Sequence, residues 1–276
     1  MYYIMSSSTG GPGRFCNQVF RTIALSVIAE KNNLKVNSYA CEKELLDLGV
    51  ILFNGTEQHN NTARIHDENY LNLFNSPVKK NLDFHKGFFQ NCNGMRRVEK
   101  RKGDKAKGNS EVSNHICKYL RTEKQIQSVM NKNPFKERYK NNNDLFVHIR
   151  LGDIYPKYSL SMDYYIESIE KISFKDLYIA SDSLNSKFIK KLLEKYPKAI
   201  LVDKDKIETI HFGTTCKHVL LSHGTYSAII GYLSYFSSVY YPECKTVWSQ
   251  IEIFRDKGMI PMKSGDTPEP PITNKN

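Results

Sequence analysis

From Asp144 onward, short apolar runs alternate with longer segments whose apolar residues recur at helical spacing. No other feature constrains the fold of this chain as strongly. The strand candidates are Leu145–Ile149 (LFVHI), Leu177–Ala180, Ile200–Val202, Val219–Leu221 and Val239–Tyr241. Between them, Met162, Tyr165, Ile166 and Ile169 form one helical stripe, and Leu184, Phe188, Leu192 and Leu193 form another. Ile207–Cys216 carries a weaker helical pattern, and Tyr226–Phe236 a strongly apolar one. Strand and helix alternating over about a hundred residues predict an α/β fold with a doubly wound parallel sheet.

The amino-terminal part opens with a short apolar strand, Tyr2–Ser6, followed by the glycine-rich stretch STGGPGRFCNQ. Val19, Phe20, Ile23, Ala24, Val27 and Ile28 then occupy one helical face, and Leu34–Ala40 reads as a second strand. That order is a βαβ unit, which implies parallel pairing. Residues 54–143 are rich in Asn, Lys and Asp, and loops and helices are expected there. The polar run Lys132–Asn143 is the best boundary candidate. The expected division is an amino-terminal domain over 1–140, a carboxyl-terminal domain over 141–260 and a Pro-rich disordered tail over 261–276.

The chain has 276 residues and a net charge of +11, a balance that favours acidic partners such as a phosphorylated small molecule or nucleic acid. The densest basic run, Arg96–Gly108 (RRVEKRKGDKAKG), lacks interleaved aromatics and contains Glu99 and Asp104. It reads as a solvated loop, so no nucleic-acid partner is expected, although the charge alone leaves RNA binding as an alternative. The six cysteines, at 16, 41, 92, 117, 216 and 244, are scattered without a CxxC pair, as in a reducing compartment. No basic segment followed by an apolar stretch opens the chain, and no window has the roughly 18 apolar residues of a membrane span. A soluble, cytoplasmic protein without a membrane span is expected.

In open parallel sheets, ligands bind beyond the carboxyl ends of the strands. The turns there are Arg150-Leu151-Gly152-Asp153, Ser181-Asp182-Ser183 and Ser222-His223-Gly224-Thr225-Tyr226-Ser227. An arginine offers a planar fork of donors to phosphate oxygens. A Ser/Gly/Thr turn entering a helix presents hydroxyls and backbone N–H groups to an anion. Asp182 is suited to a ribose hydroxyl or a base edge. Together these residues describe a site for a nucleotide diphosphate. The structural alternatives are an Arg150–Asp153 ion pair closing the strand end, Asp182 or Ser183 as a helix N-cap, Thr225 and Ser227 as capping residues, and His148 as a core histidine. Asp203 and Asp205, a D-x-D after a strand, are the competing feature, since such a pair can hold a divalent cation.

These segments resemble the GDP-fucose-dependent fucosyltransferases, closest to the α-1,2 type. VHIRLGD is similar to their His-x-Arg-x-Gly-Asp motif, and GPGRFCNQVF to their glycine loop, in a form also resembling protein O-fucosyltransferases. GFFQ (Gly87–Gln90), LYIASDS and SHGTYSAIIGYL resemble three further elements, all in the family's order. Cys16, Leu151, Ser183, Ala228 and Ile229 depart from it. The resemblance implies a GT-B-like glycosyltransferase of two Rossmann-like domains that moves L-fucose from GDP-fucose to a glycan hydroxyl with inversion. It assigns catalytic roles to Arg150 and Asp153. It implies donor binding by Arg14, Phe15, Asn17, His148, Arg150, Asp182, Thr225, Tyr226 and Ser227, without a metal or other cofactor. A different nucleotide sugar or linkage, or a non-catalytic nucleotide- or sugar-binding module, stays open.

Overall fold

The computed structural model describes residues 4–6, 15–66, 70–86, 105–156, 158–243 and 251–263. The chain divides into two compact units, Met1–Asn133 and Pro134–Asn276, so the division falls inside the polar run noted in the sequence.

In the first unit the elements are β1 (Ile4–Ser6), α1 (Phe15–Asn32), β2 (Val36–Ser38), α2 (Glu42–Asp47), β3 (Thr62–His66), β4 (Asn81–Lys86), α3 (Lys105–Leu120) and α4 (Glu123–Lys132). Its four strands pair in parallel in the order β2-β1-β4-β3. Three corrections follow. The expectation of only loops and helices over 54–143 fails at β3 and β4. These strands alternate buried Ile65, Leu82 and Phe84 with polar or charged neighbours, in runs too short to stand out from a hydrophilic background. Helix α1, expected to bury one stripe, is buried around most of its circumference, because Arg21, Thr22 and Ser26 are enclosed as well. Each of these polar groups has a partner. The Arg21 guanidinium donates to the Phe84 carbonyl, Thr22 to the Ala40 carbonyl at 2.7 Å, and Ser26 Oγ lies 2.9 Å from the Tyr119 hydroxyl. The last residues of the basic run, from Lys105, belong to α3 rather than to a loop.

In the second unit the order is β5 (Leu145–Ile149), α5 (Met162–Glu170), β6 (Leu177–Ser181), α6 (Lys187–Lys195), β7 (Ile200–Leu201), α7 (Lys206–Gly213), β8 (His218–Leu220), α8 (Thr225–Leu233), β9 (Ser238–Glu243) and β10 (Ile260–Lys263). All six strands are parallel, in the order β10-β9-β8-β5-β6-β7. All five residues of β5 are buried, so both faces of the sheet are covered there. Each such apolar side chain contributes about 1.5–3 kcal/mol of transfer free energy. Leu145, Val147 and Ile149 pack with Tyr165, Ile169 and Leu192 from the two predicted helical stripes, and with Tyr164 and Ile189, which the stripes did not include. The tail expectation is also corrected, because Ile260–Lys263 pair with β9 as an edge strand. Residues 264–276 lie outside the described residues.

At the amino end of β5, Arg138 donates to Asp144 at 2.8 Å and lies 4.6 Å from the centre of the Phe212 ring. This cluster closes the end of the sheet opposite the polar turns. The D-x-D pair has a structural assignment. Asp205 is the N-cap of α7, and its Oδ1 accepts from the backbone N–H groups of Ile207 and Glu208, each at 2.8 Å. Replacing Asp205 by Ala is expected to lower stability by about 1 kcal/mol, as for other N-caps. Exposed Asp203→Ala should stay within about 0.5 kcal/mol of the parent. Urea unfolding of the two variants checks this, and equal losses would contradict the capping role.

Candidate donor site at the sheet edge

The chain runs from β5 to β6 and β7 on one side and then crosses to β8 and β9 on the other. The strand order therefore reverses between β5 and β8. Two polar turns follow the strands there, at the carboxyl ends, which is the position of the ligand crevice in open α/β sheets. Arg150 leaves β5 and the turn Leu221–Gly224 leaves β8, one on each side of the reversal.

The Arg150 side chain is 24% exposed and its ion pair with Asp153 is loose, at 3.5 Å. Its guanidinium packs on Gly224, where a Cβ would collide with Nη1. Gly224 also has φ +98°, a left-handed conformation that favours glycine. It stands at the N-cap of α8, where no side chain caps the helix. The first-turn amides of a helix have no intrahelical acceptor, so the guanidinium and the positive helix end lie together.

His148 is buried, and its Nδ1 lies 2.7 Å from Ser227 Oγ in the first turn of α8. Its ring centre is 5.0 Å from that of Tyr226. Burial, with the positive charge of Arg150 and nearby His223 adding to it, pushes the His148 pKa down to about 3. A neutral imidazole therefore joins β5 to α8 over the physiological range. The Tyr226 hydroxyl donates to the Lys206 carbonyl at 2.7 Å. Tyr226 and Ser227 thus have their hydroxyls engaged within the unit, and what they bring to the crevice is the amino end of α8. Thr225, the first residue of that helix, is buried.

Asp182, beyond β6, does not cap a helix. The N-cap of α6 is Ser186. Asp182 Oδ1 accepts instead from Leu151 N at 2.8 Å and Gly152 N at 3.1 Å, tying the β6 turn to the Arg150 turn. A Cβ on Gly152 would collide with Asp182 Oδ2, which accounts for the glycine. The positions that depart from the family pattern are mostly interior. Leu151 belongs to the core of the unit, and Ala228 and Ile229 are fully buried. Phe15 and Asn17 lie in the first turn of α1, in the first unit. Arg14 and Gly87–Gln90 lie outside the described residues.

Residues not assigned from the sequence complete the site. Tyr164 donates to the Leu221 carbonyl at 2.9 Å, and the Tyr165 hydroxyl lies 3.2 Å from Ser222 Oγ, so α5 holds the end of β8. His223 is buried between Ser222 and Gly224, with Nε2 2.7 Å from the Tyr158 carbonyl. The only sequence signal for it was its place inside a turn read for its hydroxyls. Among the described residues, no group of three or more His, Cys, Asp or Glu side chains is placed to hold a metal ion, and no helix is long and apolar enough to cross a membrane.

No protein-family model and no curated protein sequence matches the chain. Among solved structures, it is similar to the fucosyltransferase NodZ from Bradyrhizobium, at 13% identity and a TM-score of 0.34, over 63% of this chain and 58% of that one. It is also similar to NodZ α-1,6-fucosyltransferase co-crystallised with GDP, at 11% identity and a TM-score of 0.31, over 60% and 55% of the two chains. A third similarity is to the same enzyme soaked with GDP-fucose, at 12% identity and a TM-score of 0.29, over 57% and 53%. The matched region therefore spans less than two thirds of each of these proteins. Similarity at this level carries no functional argument, and the site rests on its own geometry.

Two outcomes are expected. Gly224→Ala should cost roughly 1–3 kcal/mol, since it forces a side chain into a disfavoured φ; denaturant midpoints measure it. His148 binds a proton more readily when unfolded, so its contribution is complete above the ordinary histidine range and is lost as pH falls toward about 3. Unfolding free energy should then decline through that acid window in the parent. A shallower decline is expected in His148→Gln, and an identical pH profile would refute the assignment.

Proposed function

We propose that the second unit binds the nucleotide of a nucleotide-sugar donor and that the protein is a glycosyltransferase. The observation that carries this reading is the Arg150 guanidinium packed on Gly224 at the amino end of α8, beside the point where strand order reverses. A cation and a helix N-terminus at that crevice suit a diphosphate. The motif resemblance narrows the donor to GDP-fucose and the reaction to inverting transfer onto a glycan hydroxyl, of the α-1,2 type.

In this reading the acceptor oxygen forms a bond to the anomeric carbon while the carbon–oxygen bond to the diphosphate breaks, and GDP leaves with the bonding electrons. Charge accumulates on the leaving diphosphate, and Arg150 with the positive end of α8 offsets it in place. Asp153 holds the guanidinium from outside the crevice through its loose ion pair. Asp182 keeps the Arg150 turn in register, and neutral His148 fixes the first turn of α8 through Ser227. The proton of the acceptor hydroxyl is released to water, so the products are the fucoside, GDP and a proton.

The test is release of GDP from GDP-fucose by the purified chain, in the presence of a panel of glycan acceptors. Arg150→Ala should reduce turnover by about 10²–10³-fold, the usual cost of removing a preorganised electrostatic donor, and Arg150→Lys should recover part of it. Turnover unchanged in Arg150→Ala would overturn the reading.

A further inference from the structure

His223 has a feature that the proposed transfer does not use. Its ring is only 2% exposed, and its Nδ1 is buried with no hydrogen-bond partner among the described residues. The other nitrogen has a fixed state. Nε2 lies 2.7 Å from the Tyr158 carbonyl, and a carbonyl only accepts, so Nε2 carries a hydrogen whether the ring is neutral or charged. In the neutral ring Nδ1 is therefore a buried lone pair. In the charged ring it becomes a donor.

Its surroundings favour the neutral ring, with opposing influences on either side. Burial is the main influence keeping the ring neutral, and the positive Arg150 adds to it. The Tyr158 carbonyl, the carbonyl of His223 itself and Asp153 favour the cation. His148 is within electrostatic reach but stays neutral. From α5, Tyr164 and Tyr165 face the turn with hydroxyls bonded to Leu221 and Ser222. An anion bound beside Arg150 would cancel its repulsion and add an attraction, both favouring the charged ring.

We propose that His223 is a proton-linked contact for the donor diphosphate, its Nδ1 taking a proton from solvent as the ligand binds and donating a hydrogen bond to a phosphate oxygen. This rests on the donor-site reading above. The proton comes from solvent and forms an N–H bond at Nδ1 when the ligand binds, returns to solvent when the ligand leaves, and is not transferred to the phosphate. Donor affinity then falls as pH rises, by up to about tenfold per pH unit between the free and bound pKa values of the ring.

The probe is GDP-fucose, whose diphosphate is a diester. It lacks the terminal phosphate ionisation near pH 6 that would let GDP itself exchange protons. Calorimetric titration of the full chain, in two buffers of different ionisation enthalpy between about pH 5 and 8, gives both affinity and protons bound. The expected result is net proton uptake by the parent, with affinity decreasing as pH rises. His223→Gln keeps an amide N–H for the Tyr158 carbonyl but cannot titrate, so its uptake and the pH slope should vanish. Uptake unchanged in His223→Gln, or binding by the parent with no uptake, would overturn the role of His223 and leave the donor site standing. Failure of the parent to bind GDP-fucose at any pH would remove the donor-site reading and this proposal together. Should His223→Gln not fold, ¹⁵N-histidine spectra of the parent decide the matter. One buried Nδ1 must change from unprotonated to protonated when GDP-fucose is added, and no such change refutes the proposal.

Discussion

Burial of β5 on both faces is the constraint from which the second unit is built. A strand whose five residues are all enclosed must be covered from both sides, and its backbone groups must be paired along both edges. Pairing with β6 on one edge and β8 on the other meets the second demand. Because the chain visits β6 and β7 before β8, the two neighbouring turns lie on either side of the reversal in strand order. The crevice is thus a consequence of topology, and the chemistry of its lining is decided by whichever residues follow the strands.

The two ends of β5 show how differently one residue type can be used. Arg138, before the strand, makes a short ion pair with Asp144, approaches Thr215 and Cys216, and covers the Phe212 ring. Its charge is compensated and its stem packed, as in a structural arginine. Arg150, after the strand, has among the described residues one loose ion pair and a glycine where most turns would place a side chain. A guanidinium held beside a helix N-terminus with so little compensation is an electrostatic arrangement suited to an anion.

The strands and helices of the second unit were legible because each is an apolar run or stripe bounded by polar turns. Placing Arg150, Asp182 and Thr225 at one edge followed from that pattern. The first unit was less legible. Its β3 and β4 bury few apolar residues, Ile65, Leu82 and Phe84, in short polar segments, so they carry little periodic signal. The partners of side chains were not legible at all. The sequence suits Asp182 equally to a ribose, a cap or a loop, and only the fold shows its carboxylate on the amides of Leu151 and Gly152. Gly224 looked like an ordinary turn glycine, whereas its positive φ and the guanidinium against it set the geometry of the crevice.

The two histidines complete the electrostatic argument. A second permanent cation beside Arg150 would raise the cost of keeping the free site folded, since like charges in a low-dielectric pocket repel strongly. His148 avoids this by remaining neutral, so it can join β5 to α8 without adding charge. His223 sits one residue before Gly224, with its outer nitrogen anchored on Tyr158 and its inner nitrogen without a partner among the described residues. A group that is neutral in the empty site and charged in the filled one adds positive charge only when an anion is present to compensate it. The same burial that makes a permanent charge costly at this position is what makes a conditional one effective.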